Sequence, residues 1–188
     1  MTDRSFLPQT PEASDSLAER LCRTCGLCCN GVLFHLVRLQ TGDLLSELAS
    51  LGLKIRRKKG SDQFSQPCPA LESCQCTIYS QRPTRCRRFE CQQLQGAVEG
   101  KITEEAALMQ IQGVQQKVRQ IESLMETLGK SDPKRPLTKR YEKIIAESVE
   151  LIGEERIPRM ELEREMQELQ QILDRDFRVI NQDAPGEV

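Results

Sequence analysis

The sequence predicts an α+β protein that is mostly α: a small irregular cysteine-rich module followed by an antiparallel helical hairpin or three-helix segment. Three observations carry this. All nine cysteines lie between residues 22 and 91 of the 188-residue chain. The end of that stretch is punctuated by Pro67, Pro69 and Pro83, which favours loops over long elements. Beyond residue 100, apolar residues recur at alternating spacings of four and three, the period of an amphipathic helix. Residues 1–15 read as a flexible leader, 16–96 as the cysteine-rich module, 97–178 as the helical segment and 179–188 as a flexible tail.

Taken in order, MTDRSFLPQTPEASD is polar and without periodicity. SLAERLC (16–22) suits a short helix leading into the first cysteines, and Asn30-Gly31 is a turn pair. VLFHLVRL (32–39) reads as a strand, with Phe34 and Leu36 on one face and Leu33, His35, Val37 and Leu39 on the other. His35, the only histidine, is expected to pack there rather than ligate or catalyse. Thr41 is expected to cap a short helix through Leu51, with Gly52 as its stop. Residues 54–67 form a basic, exposed loop or hairpin. Thr103 caps the first long helix, Glu104 and Glu105 suit its positive end, and Gly129 ends it. Its stripe is Ala107, Ile111, Val114, Val118, Ile121, Met125 and Leu128. A second helix spans residues 137–152 with Leu137, Tyr141, Ile144, Ser148 and Leu151 on one face. Pro158 opens a third, striped by Leu162, Met166, Leu169 and Leu173.

Composition bounds the chemistry. Aromatic residues are 4% of the chain and Trp is absent, so large core side chains are scarce and a staple is expected. The formal net charge of -1 sets up no global field toward nucleic acid or membrane. The basic run at 54–59 has few aromatic residues near it, which weighs against nucleic-acid binding. The N-terminus has no apolar run typical of a signal peptide, and no stretch reaches the roughly 18 apolar residues of a membrane span. A cytoplasmic location is therefore expected, where clustered thiols hold metal more often than disulfides. The odd number of cysteines points the same way.

The cysteines open as Cys22-x-x-Cys25-x-x-Cys28-Cys29. Two intervening residues let one turn of backbone aim both sulfurs at one ion, as tetrahedral zinc requires and as iron–sulfur sites also use. Cys28 and Cys29 are neighbours whose side chains diverge, so they serve two sites more easily than one. A compact double site is expected, with this pair shared between two metals or one larger cluster. The later thiols are Cys68, Cys76, Cys86 and Cys91, and spacing alone does not assign four ligands to each ion. Residues 22–91 hold eleven Lys or Arg against five Asp or Glu. Eight thiolates around two divalent ions would add about four negative charges. Arg82, Arg85 and Arg87 lie among the ligands and are candidates to donate hydrogen bonds to sulfur.

These residues resemble the CxxCxxCC (YkgJ-type) cysteine-cluster family. After the opening, the chain continues Cys68-Pro-Ala-Leu71, Cys76-Thr-Ile78-Tyr79, Arg82-Pro83-Thr-Arg-Cys86-Arg87 and a last Cys91, matching the family pattern over roughly residues 20–92. Cys74 is surplus to it. The resemblance implies zinc or iron chelation, with Cys22, Cys25, Cys28, Cys29, Cys68, Cys76, Cys86 and Cys91 as metal ligands. It also resembles the cysteine region of flagellin lysine-N-methylase, which implies a second possibility, an iron–sulfur redox or protein-modifying enzyme. No Gly-rich strand–turn–helix segment accompanies it to bind a cosubstrate, and no catalytic residue stands out. A metal carrier is the third possibility. The helical stripes are expected to pack on each other and on the module, or to leave one face for a protein partner or self-association.

Overall fold

A computed structural model describes residues 16–58, 60–129, 132–147 and 156–179. The leader at 1–15, most of the tail and the end of the second helix at 148–152 lie outside the described residues. Within them the protein is α+β and mostly α, with two small antiparallel sheets.

Helix α1 (Leu17–Cys25) starts at Ser16, whose hydroxyl accepts from the Glu19 N–H while Glu19 accepts from the Ser16 N–H. It runs a turn further than its sequence suggests and stops at Gly26, whose φ of 64° suits glycine. Cys22 and Cys25 thereby share the end of one helix. The strand expected over 32–39 shortens to β1 (Leu36–Arg38). The Leu33 N–H donates to Leu27 O and the Val32 N–H to Asn30 Oδ1, so this loop closes on itself and cannot join a ladder. His35, expected to pack, is exposed. Helix α2 (Leu45–Ser50) begins at Leu44, not Thr41. The Asp43 carboxylate accepts from the Gln40 N–H and holds residues 40–43 as a turn instead of a first helical turn.

The basic segment forms a hairpin of β2 (Arg56–Lys58) and β3 (Ser61–Ser65), and β1 pairs along the other side of β3. Val37 and Phe64 sit opposite each other in that register, and both are buried. They join Leu48, Leu53, Ala70 and Ile78 in a small core, against which Cys68, Cys76 and Cys86 pack. A second hairpin, β4 (Leu71–Glu72) and β5 (Gln75–Cys76), precedes a 3-10 turn at Tyr79–Gln81 and the short helices α3 (Thr84–Arg88) and α4 (Gln92–Val98).

Helices α5 (Glu104–Thr127), α6 (Leu137–Ala146) and α7 (Arg156–Asp176) follow. Thr103 caps α5 by accepting from the Ala106 N–H. The predicted stripes of α5 and α7 are buried in one main core, with only Leu128 at the end half-buried. The two helices run antiparallel. Lys117 reaches Glu165 and Glu168, each at 2.7 Å, while Gln120 and Leu124 further along α5 lie beside Glu161. Arg140 of α6 adds a 2.6 Å bond to Glu122. The same core takes in Leu21, Leu27, Val32 and Leu33 from the cysteine-rich half. Arg20 grips Glu104 through two 2.7 Å bonds, docking α1 on the start of α5. Phe177, just past α7 and beside the start of α4, is 1% exposed. Phe177→Ala should cost about 3–5 kcal/mol, measured by urea unfolding. A loss below about 1 kcal/mol would mean the site collapses freely and the core does not depend on this ring. No helix among the described residues is long and apolar enough to cross a membrane.

Candidate metal centre

Five segments deliver the thiols. Cys22 and Cys25 come from the end of α1. Cys28 and Cys29 lie in the turn that follows, where the Cys29 and Asn30 N–H groups both donate to Gly26 O at 2.9 Å. The Cys68 N–H donates to Cys29 O at 2.8 Å, tying the second segment to the first. Cys74 and Cys76 come from the β4–β5 hairpin, Cys86 from α3, and Cys91 from the cap of α4. All nine are free thiols.

The thiols sort into two sets: packing places six of them, and electrostatics adds Cys22 and Cys29. Cys25, Cys28 and Cys91 lie against the main core, while Cys68, Cys76 and Cys86 lie against the small one. Burial pushes the Cys28 thiol well above its usual range, and the charges of Cys25, Cys29, Cys91 and Cys22 push it further. Cys29 is pushed up to about 12, first by burial, then by Cys68, Cys76 and Cys86, and last by Cys22 across the divide. Cys86, also about 12, feels burial and then Cys68 and Cys76. Cys25 reaches about 12 through burial, with Cys91, Cys22 and Cys74 adding to it against a hydrogen bond from the Leu27 N–H. Burial and then Cys91 raise Cys22. The first set is therefore Cys22, Cys25, Cys28 and Cys91; the second is Cys29, Cys68, Cys76 and Cys86. The adjacent pair Cys28-Cys29 divides between them.

Cys91, the last cysteine in the chain, thus returns to the opening motif. Four contacts place it. Phe89 meets Phe34 edge-on with centroids 4.8 Å apart. The Gln92 N–H donates to Phe177 O at 3.1 Å, and its side chain bonds Arg178 O. Gln93 Nε2 donates to Asp176 O at 2.8 Å. The end of α7 therefore anchors the start of α4. Helix α5 supports the other side of the set, where Gln115 Nε2 donates to Thr24 O at 2.8 Å and Cys25 O at 3.0 Å. These glutamines are positioning residues that the sequence did not single out. A lone Gln on a helix carries no periodic or motif signal.

Of the three arginines, Arg82 stands between the sets: its charge lowers the thiol pKa of both Cys22 and Cys86. Its Nε donates to Tyr79 O at 2.8 Å, and its guanidinium stacks 3.4 Å above the Tyr79 ring. Arg87 donates to Thr84 Oγ1 and is exposed, and Arg85 is exposed on the same short helix. Asp43 anchors that helix by accepting from Thr84 N at 2.8 Å and Thr84 Oγ1 at 2.7 Å. Partial burial pushes the Asp43 carboxyl up, but the bonds from Gln40 and Thr84 outweigh it and hold the carboxyl below its usual range. Asp43→Ala should cost about 1–2 kcal/mol, reduced from the value of a buried charged bond because the group is only half-buried. The contribution is present above the ordinary carboxylate pKa and fades as pH falls through the lower folded value. Unfolding at neutral and acid pH should therefore show the variant's deficit shrinking in acid; a deficit that is independent of pH would point to packing alone.

Among the described residues no three Cys, His, Asp or Glu side chains stand pre-formed as an ion cage. The donor chemistry nevertheless fits a metal. Each set has four sulfurs, no competing histidine and the guanidinium of Arg82 nearby, and four thiolates suit zinc or iron. The arrangement is a cysteine-rich module built onto a helical core. A family model matches residues 21–122, more than half of the chain: CxxCxxCC, described as a "putative zinc- or iron-chelating domain". The chain belongs to this family. No curated protein and no solved structure matches it.

Proposed function

We propose that the protein binds two metal ions through eight cysteines, one on Cys22, Cys25, Cys28 and Cys91 and one on Cys29, Cys68, Cys76 and Cys86. The observation that carries this reading is the division of Cys28 and Cys29 between two four-thiol sets, three thiols of each packed on its own core. Zinc or iron in such closed sites supplies folding free energy. The protein's part is to bring the sulfurs together and to balance their charge. Arg82 faces both sets, and the lysines and arginines of residues 22–91 outnumber the acids there, offsetting the surplus negative charge of the thiolates.

The raised thiol pKa values mean that ion uptake at neutral pH expels protons, so loading should weaken on acidification. Protein purified without oxygen, analysed for metal content and by visible spectrum, tests the proposal. About two ions per chain in a colourless protein supports two closed zinc sites. A brown protein with iron and acid-labile sulfide favours the alternative of an iron–sulfur redox or modifying enzyme. Absence of bound metal after reconstitution with zinc or ferrous iron under reducing conditions sinks both.

A further inference from the structure

A fifth thiol, that of Cys74, lies beside the end of α1. Cys74 is exposed at the tip of the β4–β5 hairpin, and this hairpin packs on α1. A Cβ placed on Gly26 would lie 3.4 Å from the Cys74 Sγ, so the sulfur rests on the residue next to Cys25. The backbone holds the tip unusually: Ser73 and Cys74 have φ of 46° and 65°, left-handed values that asparagine or glycine adopts more readily. Two residues on, Cys76 belongs to the other set, so the hairpin is anchored by one sulfur and offers a second to solvent beside the first set.

From this geometry we infer that Cys74 is the exchange ligand of the first metal set, the thiol through which an ion enters and leaves. The inference rests on the chelation proposed above and adds a path to it. A closed four-thiolate ion has no vacant position, but zinc expands to five ligands in passing. Cys74 loses its proton and forms a sulfur–metal bond. One existing sulfur–metal bond then breaks, with Cys25, the chain neighbour of Gly26, as the candidate, and the released sulfur takes up a proton. No electron is transferred. An acceptor chelator or thiol in solution completes the transfer by binding the ion that Cys74 has drawn outward. The second set has no such spare thiol among the described residues.

The test uses the full chain loaded with zinc and a chromophoric chelator as acceptor. Cys74→Ser and Cys74→Asn are compared with wild type; asparagine tolerates the left-handed turn, so this variant guards against a folding defect. The expected result is unchanged metal content, with release from one of the two sites slowed by about tenfold or more, a barrier increase of about 1.4 kcal/mol or more. Iodoacetamide on the loaded wild type should label Cys74 alone and slow the same phase. Equal release rates in all three proteins would overturn the inference by making Cys74 a bystander. Loss of one ion in either variant would overturn it by making Cys74 a permanent ligand. Wild-type protein that takes up no zinc or iron ends the chelation proposal itself, an outcome seen before any variant is compared.

Discussion

Chelating the metal should unfold the segment from about residue 36 to 86 while leaving the long helices standing. The two cores explain the difference. The small core holds six buried side chains, one of them an alanine, beneath a sheet of strands three to five residues long. A core of that size rarely sustains itself without a staple. Its three cysteine neighbours, Cys68, Cys76 and Cys86, all belong to the second set. The main core instead contains the facing stripes of α5 and α7, with side chains such as Ile121, Leu162 and Leu173 fully buried. Structural zinc contributes about 10–16 kcal/mol in apparent terms, against a typical domain stability of about 5–15 kcal/mol. Amide exchange after stripping should therefore show protection lost across β1, β2 and β3 and kept in α5 and α7. Undiminished protection in β3 would refute a structural role for the second ion. The stripped protein should also be sensitive to alkali. Unfolded thiols ionise at about 8.5, while the folded Cys25, held against the main core that stripping leaves, stays protonated to about 12. The stability present below the unfolded value is lost as pH rises between the two, and any native structure left at pH 7 should weaken above about 9.

Exchanging the two adjacent cysteines one at a time should have separable effects. Cys28→Ser should remove the ion of the first set and leave the second loaded; Cys29→Ser should do the reverse. Each variant is expected to hold about one ion where wild type holds about two, since three thiolates and a hydroxyl bind a soft-ligand metal far more weakly than four thiolates. The structural consequences should differ. Losing Cys29 should expose the 36–86 segment much as chelation does. Losing Cys28 should mainly loosen α1 and α4, because α5 and α7 hold that set through Gln115, Gln92 and Gln93. Elemental analysis with amide exchange on both variants decides the matter. If either single change empties the protein of metal, the thiols form one shared cluster and the two-set division is wrong.

The helices were legible because their information is local. The four-three stripes over 107–125 and 162–173 mark a buried face by period alone, and the Thr103 cap and Gly129 stop need only neighbouring residues. The short elements were less so. Nothing in VLFHLVRL reveals that Leu33 bonds back to Leu27, or that Asp43 is drawn to Thr84 forty-one residues away and leaves Thr41 without a helix to cap.

The candidate site divides along the same line. From sequence came the inventory: eight cysteines in a specific pattern, one surplus thiol at Cys74, arginines among them and an adjacent pair suited to two sites. Only the tertiary structure decided the grouping. Cys91 lies sixty-two residues beyond Cys29 yet comes to lie near Cys22, Cys25 and Cys28, because α4 is hooked by Gln92 and Gln93 to carbonyls at the end of α7. Loop segments carry no period, so where their ends meet is set by the cores on which they close and by hydrogen bonds far apart in the chain.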